Sequence, residues 1–116
     1  MKITRLRDLE KVRVDMDGAK NTFRQVPISG KDGSPNFSFR VFTVGPEGNT
    51  PYHSHDFEHL NYVISGQGVL VDEEGKNQEI HTGEFALVLP GEKHQYRNLS
   101  ATEPFVIICA VPKEFE

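Results

Sequence analysis

The sequence holds one cysteine, Cys109, so it cannot form an internal disulfide and its fold does not lean on an oxidising compartment. It holds no basic cluster. Thirteen Lys and Arg against 17 Asp and Glu give a formal net charge of −4, which leaves no electrostatic footprint for nucleic acid or an anionic membrane. No apolar run approaches bilayer length. The start, MKITRLRDLEKVRVD, breaks every apolar residue with charge and never forms the apolar centre of a signal peptide. No compositionally biased tract argues for disorder, and 116 residues suit one domain with a single core. What remains is the expectation of a cytoplasmic protein that works on a small molecule, with neither nucleic acid nor membrane as partner.

What the chain does have is a succession of short runs with period-two alternation. The pattern predicts strands over Thr22–Ile28, Phe37–Val44, Tyr52–His55, His59–Ser65, Val69–Asp72, Gln78–His81, Phe85–Leu89, His94–Asn98 and Phe105–Val111. Turn-forming stretches separate them, among them Ser29–Pro35, Gly45–Gly48, Glu73–Asn77 and Pro90–Lys93. Many short strands with no ten-residue helical stretch between them indicate an all-β antiparallel sandwich or barrel. Residues 1–20 read both ways: Leu6, Leu9 and Val12 have helical spacing, while Val12, Val14 and Met16 alternate. They are expected to form an arm or edge strand, and residues 21–116 the barrel.

Three imidazoles, His53, His55 and His59, fall within seven residues, and His94 stands alone downstream. In a strand, His53 and His55 share one face and offer two nitrogens to a common point. The step Asp56-Phe57-Glu58 can turn the chain so that His59 faces the same interior. Neutral imidazole is the commonest protein ligand for transition metals, so the group predicts a metal site. A lone histidine is ordinarily a surface or satisfied core residue, and His81, beside the Thr82-Gly83 turn, is read that way.

The spacing of these residues resembles the cupins, small double-stranded β-helix (jelly-roll) proteins. Their first motif runs G, five residues, H-x-H, three or four residues, E, six residues, G. Here His53-Ser54-His55 is followed by His59 in the glutamate position and by Gly66. Their second motif runs G, five residues, P-x-G, two residues, H, three residues, N, and Gly83, Pro90-Gly91, His94 and Asn98 follow it with Leu89 in the proline position. Glu47 stands where the first glycine belongs, with Gly48 one step late. Glu58 is displaced one step from the glutamate position, toward the opposite strand face. The exchange of glutamate for His59 is similar to a subgroup of single-domain bacterial cupins with a four-histidine site, often holding manganese.

That resemblance implies a homodimer with ligands His53, His55, His59 and His94 around one divalent transition metal per chain. Manganese or iron is the first expectation; nickel, zinc and copper also suit imidazole. Four neutral ligands leave the ion its full charge, and an octahedral ion keeps two positions open. The function expected is an oxidoreductase, dioxygenase-like or peroxide-using, on a small organic molecule. The alternatives are a metal-dependent isomerase or lyase on a carboxylate or sugar, and a non-catalytic binding or sensing module, since this fold hosts many chemistries. Strand parity predicts that Asn61, Tyr96, Ile107, Cys109 and Val111 line the pocket. For Cys109 and Tyr96, ordinary core packing competes with that role. Arg40, among Phe39, Val41 and Phe42, is solvent-exposed by default, and inward placement would make it an anion anchor.

Overall fold

The structure, a computed structural model, describes residues 1–115. Among the described residues nine strands form one antiparallel sheet: β1 Val12–Arg13, β2 Lys20–Ile28, β3 Phe37–Asn49, β4 His59–Ser65, β5 Gln67–Val71, β6 Asn77–His81, β7 Phe85–Val88, β8 Gln95–Arg97 and β9 Phe105–Pro112. The strand order β6-β5-β8-β3-β9-β4-β7, with β2 and β1 added outside β3, is that of a double-stranded β-helix. Residues 1–20 contribute a 3-10 turn at Leu6–Asp8 and the two-residue strand β1 on β2. The Gln25 side chain holds that arm by donating to the carbonyls of Leu6 and Leu9.

Side-chain alternation explains which face closes the barrel. In β4 and β9 every second residue is buried: His59, Asn61 and Val63 in one, Phe105, Ile107, Cys109 and Val111 in the other. The core is the cluster of Val44, Val63, Ile80, Tyr96, Phe105 and Ile107, packed by Leu70 and Ala86. Each such side chain stabilises the fold by about 1.5–3 kcal/mol on burial. Toward one end of this interior the rows turn polar. Arg40, Cys109, Asn61 and Ala86 lie side by side across β3, β9, β4 and β7.

Two local expectations are corrected. Gly45–Gly48 is no turn, because β3 continues through it to Asn49. Glu47 there sits at φ +60°, in the left-handed region that glycine occupies freely. That accounts for the motif's glycine at this position; Glu47 tolerates it while exposed, its N–H donating to the Ser100 carbonyl. Tyr52–His55 is not a strand either, and only a single bridge joins His53 to His94. Gly66 keeps its motif role: it has φ +78°, and an added Cβ would strike the Pro104 carbonyl.

The outer face of β3, β9, β4 and β7 is unusually apolar. Phe37, Phe39, Leu60, Phe85 and Leu87 are all exposed on it, with Phe39, Ala110, Leu60 and Leu87 in one cross-strand row.

Candidate metal centre

The two histidine-bearing segments are joined backbone to backbone. The His53 N–H donates to the His94 carbonyl at 3.1 Å, and the His94 N–H returns a bond to the His53 carbonyl at 3.0 Å. Gly91, at φ +83°, donates its N–H to the His55 carbonyl at 2.8 Å. A β-branched residue would resist that conformation, so the Pro90-Gly91 turn sets the distance between the segments.

This bridge brings three side chains together. One ring nitrogen from each of His53, His55 and His94 lies within 4.8 Å of the others. Modest ring rotations close that spread to the roughly 3–4 Å between two nitrogens that each lie about 2 Å from one ion. His55 Nδ1 lies 2.9 Å from the Phe57 carbonyl and His94 Nδ1 lies 2.9 Å from the Glu92 carbonyl. A carbonyl only accepts, so the proton sits on Nδ1 and each Nε2 carries a free lone pair. Nε2 of His55 is buried and has no hydrogen-bond partner. A buried, partnerless acceptor is costly unless something binds it, and the donor set fits a transition ion. The His55 ring is held from behind by Phe57, stacked at 4.1 Å, which in turn stacks on Phe115 at 4.1 Å.

His59, first residue of β4, is buried with its ring 4.2 Å from that of His55 and 5.3 Å from that of His94. It nevertheless stands apart from the trio. Arg40 Nη2 donates to its Nε2 at 3.3 Å, so this lone pair is aimed at a guanidinium. Glu58 is exposed on the outer face next to Leu60. His81 is exposed and paired with Glu84 at 3.0 Å, outside the cluster.

The cluster opens into a cavity of about 300 Å³. Its walls include Asn61, Tyr96, Ile107 and Cys109, together with Arg40, Phe42, Met16, Thr50, Pro51 and Phe57. Val111 is not among the wall residues. It shares the inward face of β9 but pairs with Ser38, one row beyond Arg40 and Cys109, where the interior is closed and Val111 is 1% exposed. Arg40 is not exposed; it is 8% accessible and points inward. Tyr96 donates its hydroxyl to Asn61 Oδ1 at 2.9 Å, and burial pushes its phenol above the usual range, so it stays protonated. Asn98, the last residue of the second motif, is structural: its amide donates to the carbonyls of Val44, Gly45 and Glu103.

Burial, followed by the Arg40 charge, lowers His59 from 6.5 to about 2. Burial likewise lowers His53 and His94. Below pH 6.5 the unfolded chain therefore binds protons at these positions that the folded chain refuses, and stability falls as pH falls. For metal-free protein, denaturant unfolding should lose stability between pH 7 and 5, by up to about 1.4 kcal/mol per pH unit from His59 alone. The carboxylates held low in the fold, Asp32, Asp72 and Glu84, titrate below that window. His59→Gln should flatten the slope; a flat wild-type profile would contradict the neutral, buried state of these rings.

A sequence profile described as the cupin domain matches residues 40–111. No curated protein matches the chain significantly. Among solved structures, the polyketide cyclase RemF from Streptomyces resistomycificus is 31% identical, with a TM-score of 0.91 over 97% of this chain and 79% of that one. A protein described as a predicted oxalate decarboxylase from Thermotoga maritima is 20% identical, with a TM-score of 0.83 over 97% of this chain and 99% of that one. KdgF from Halomonas sp. is 12% identical, with a TM-score of 0.76 over 97% and 94%. The last two likenesses bear on the fold alone. The motif spacing, the strand order and the profile match agree: this chain belongs to the cupin family.

Proposed function

We propose that this chain is a metal-dependent cupin enzyme acting on an oxygen-bearing, largely apolar organic molecule of polyketide-like character. The observation that carries the reading is the convergence of the His53, His55 and His94 ring nitrogens beside a cavity with aromatic walls. Those three would hold one divalent transition ion, and His59 would complete the set once its Nε2 is released from Arg40. When bound, the ion supplies Lewis-acid polarisation of a carbonyl or phenolic oxygen and, if manganese or iron, electron transfer to dioxygen or peroxide.

The chain's own residues narrow the choice. Among the described residues no Asp or Glu lines the cavity, so these offer no carboxylate base. Tyr96, held protonated and spending its one hydroxyl proton on Asn61 Oδ1, offers its oxygen as a fixed acceptor to a substrate hydroxyl. Phe42, Ile107, Met16 and Phe57 exclude water around an apolar body. At about 300 Å³ the space is at the small end of ligand pockets. The likeness to a polyketide cyclase, over nearly the whole chain, supports ring-forming carbonyl chemistry over oxidation. Oxidation remains the second reading, favoured by the wholly neutral donor set, which retains the ion's charge and stabilises its lower oxidation state.

Turnover separates the two. Zinc-loaded protein should convert a poly-β-carbonyl substrate without consuming dioxygen, and His55→Ala should abolish the conversion. Product formation only with manganese or iron, matched by oxygen uptake, would establish the oxidoreductase instead. Tight binding without turnover in any metal form would leave a binding module.

The reading includes a homodimer through the outer face of β3, β9, β4 and β7. Its five exposed side chains present roughly 500 Å² of apolar surface, near the top of what monomers expose. That amount equals the apolar share of an interface burying about 800 Å² per partner. Light scattering after size exclusion should give twice the chain mass, and Leu87→Glu should halve it. A monomeric wild type would remove the dimer from the account.

A further inference from the structure

Arg40 carries a charge that no carboxylate among the described residues neutralises. It is 8% accessible, and none of the ion pairs among the described residues involves it. Its Nε is buried with no partner at all. Its other nitrogens make three long contacts, all to neutral atoms: the Phe115 carbonyl at 3.4 Å, His59 Nε2 at 3.3 Å and Cys109 Sγ at 3.3 Å. The guanidinium also lies over the Phe42 ring, 5.1 Å from its centroid. A guanidinium has five donors and cannot lose its proton, so burial without a counter-anion is costly. Proteins ordinarily place a carboxylate against such a group, and none of the described residues on the cavity wall carries one.

We propose that the missing counter-anion is the ligand: Arg40 is the anion anchor of the cavity, and the molecule bound there carries a carboxylate, or an equally charged phenolate or enolate oxygen, on an apolar body. Three features agree. The only permanent formal charge among the described wall residues is positive; apart from the histidines, Thr50, Asn61 and Tyr96 the rest of the wall is apolar; and the planar fork of arginine matches two anionic oxygens. Engaging such a group draws the guanidinium from its weak contact with His59 and frees that Nε2. Ligand binding and completion of the histidine set are then favourably coupled. This deepens the function proposed above and rests on it only for the metal; the charge argument stands on Arg40 alone.

The test uses 2-naphthoate and 2-naphthamide, which share shape and differ in charge. The chain has no tryptophan, so naphthyl fluorescence reports binding with little protein background. In chelator-treated wild-type protein, naphthoate should bind about tenfold or more tighter than naphthamide, the value of a charge-assisted hydrogen bond pair. Arg40→Gln should remove that preference, and Arg40→Lys should restore part of it. Circular dichroism identifies any variant that fails to fold, and the wild-type comparison decides the matter without it. Equal wild-type affinities, or a preference that survives Arg40→Gln, would overturn the proposal. Zinc titration of the same samples separates the two ideas: no zinc uptake would remove the metal reading and leave the anion site standing, while zinc uptake without charge preference would do the reverse.

Discussion

The site depends on one reciprocal pair of backbone hydrogen bonds, between His53 and His94. These residues lie 41 positions apart in the chain and neither belongs to a named strand, so nothing else in the ladder holds them opposite each other. The pair works because its flanks are fixed. Gly91 donates to the His55 carbonyl, and Thr50 both donates to the Tyr96 carbonyl and accepts from the Tyr96 N–H through its hydroxyl. The imidazoles are therefore presented by a short stitched loop, while His59 comes from the rigid start of β4. The barrel contributes position and dryness; the loops contribute chemistry.

Electrostatically the cavity is lopsided. Burial pushes its His53, His59 and His94 imidazoles toward neutrality, its phenol is held protonated, and the one permanent charge among the described wall residues is a guanidinium to which those residues offer no carboxylate. A pocket with that balance repels cations unless ring nitrogens ligate them directly, and it attracts anions. The position of Arg40 against His59 makes the two preferences interact. Whatever neutralises Arg40 also alters how available the His59 lone pair is.

Most of the barrel was legible because strand periodicity is a local signal. The run His59–Ser65 coincides with β4, and Phe105–Val111 falls one residue short of β9. Two failures have physical causes. Glu47 adopts a positive φ that propensity gives no reason to expect, and this lets β3 run on through Gly45–Gly48. In Phe37–Phe42, hydrophobicity favours an inward Phe37, Phe39 and Val41, yet the inward face is Ser38, Arg40 and Phe42. Parity alone cannot choose between the faces. Register could have: Arg40 pairs with Cys109, whose face was already assigned to the interior. The wall residues Met16, Thr50, Pro51 and Phe57 lie outside the strands that parity describes, and period-two reasoning could not reach them. The histidines were legible because three within seven residues is rare by chance; the separate contact of His59 with Arg40 is tertiary and left no trace in spacing.

Whether the converging imidazoles hold one ion is decided by elemental analysis of the protein prepared without a histidine tag. About one first-row transition ion per chain is expected, lost in His55→Ala with the fold retained. Correctly folded wild-type protein that carries no such ion, and takes none up on exposure to manganese, iron or zinc, would contradict that expectation.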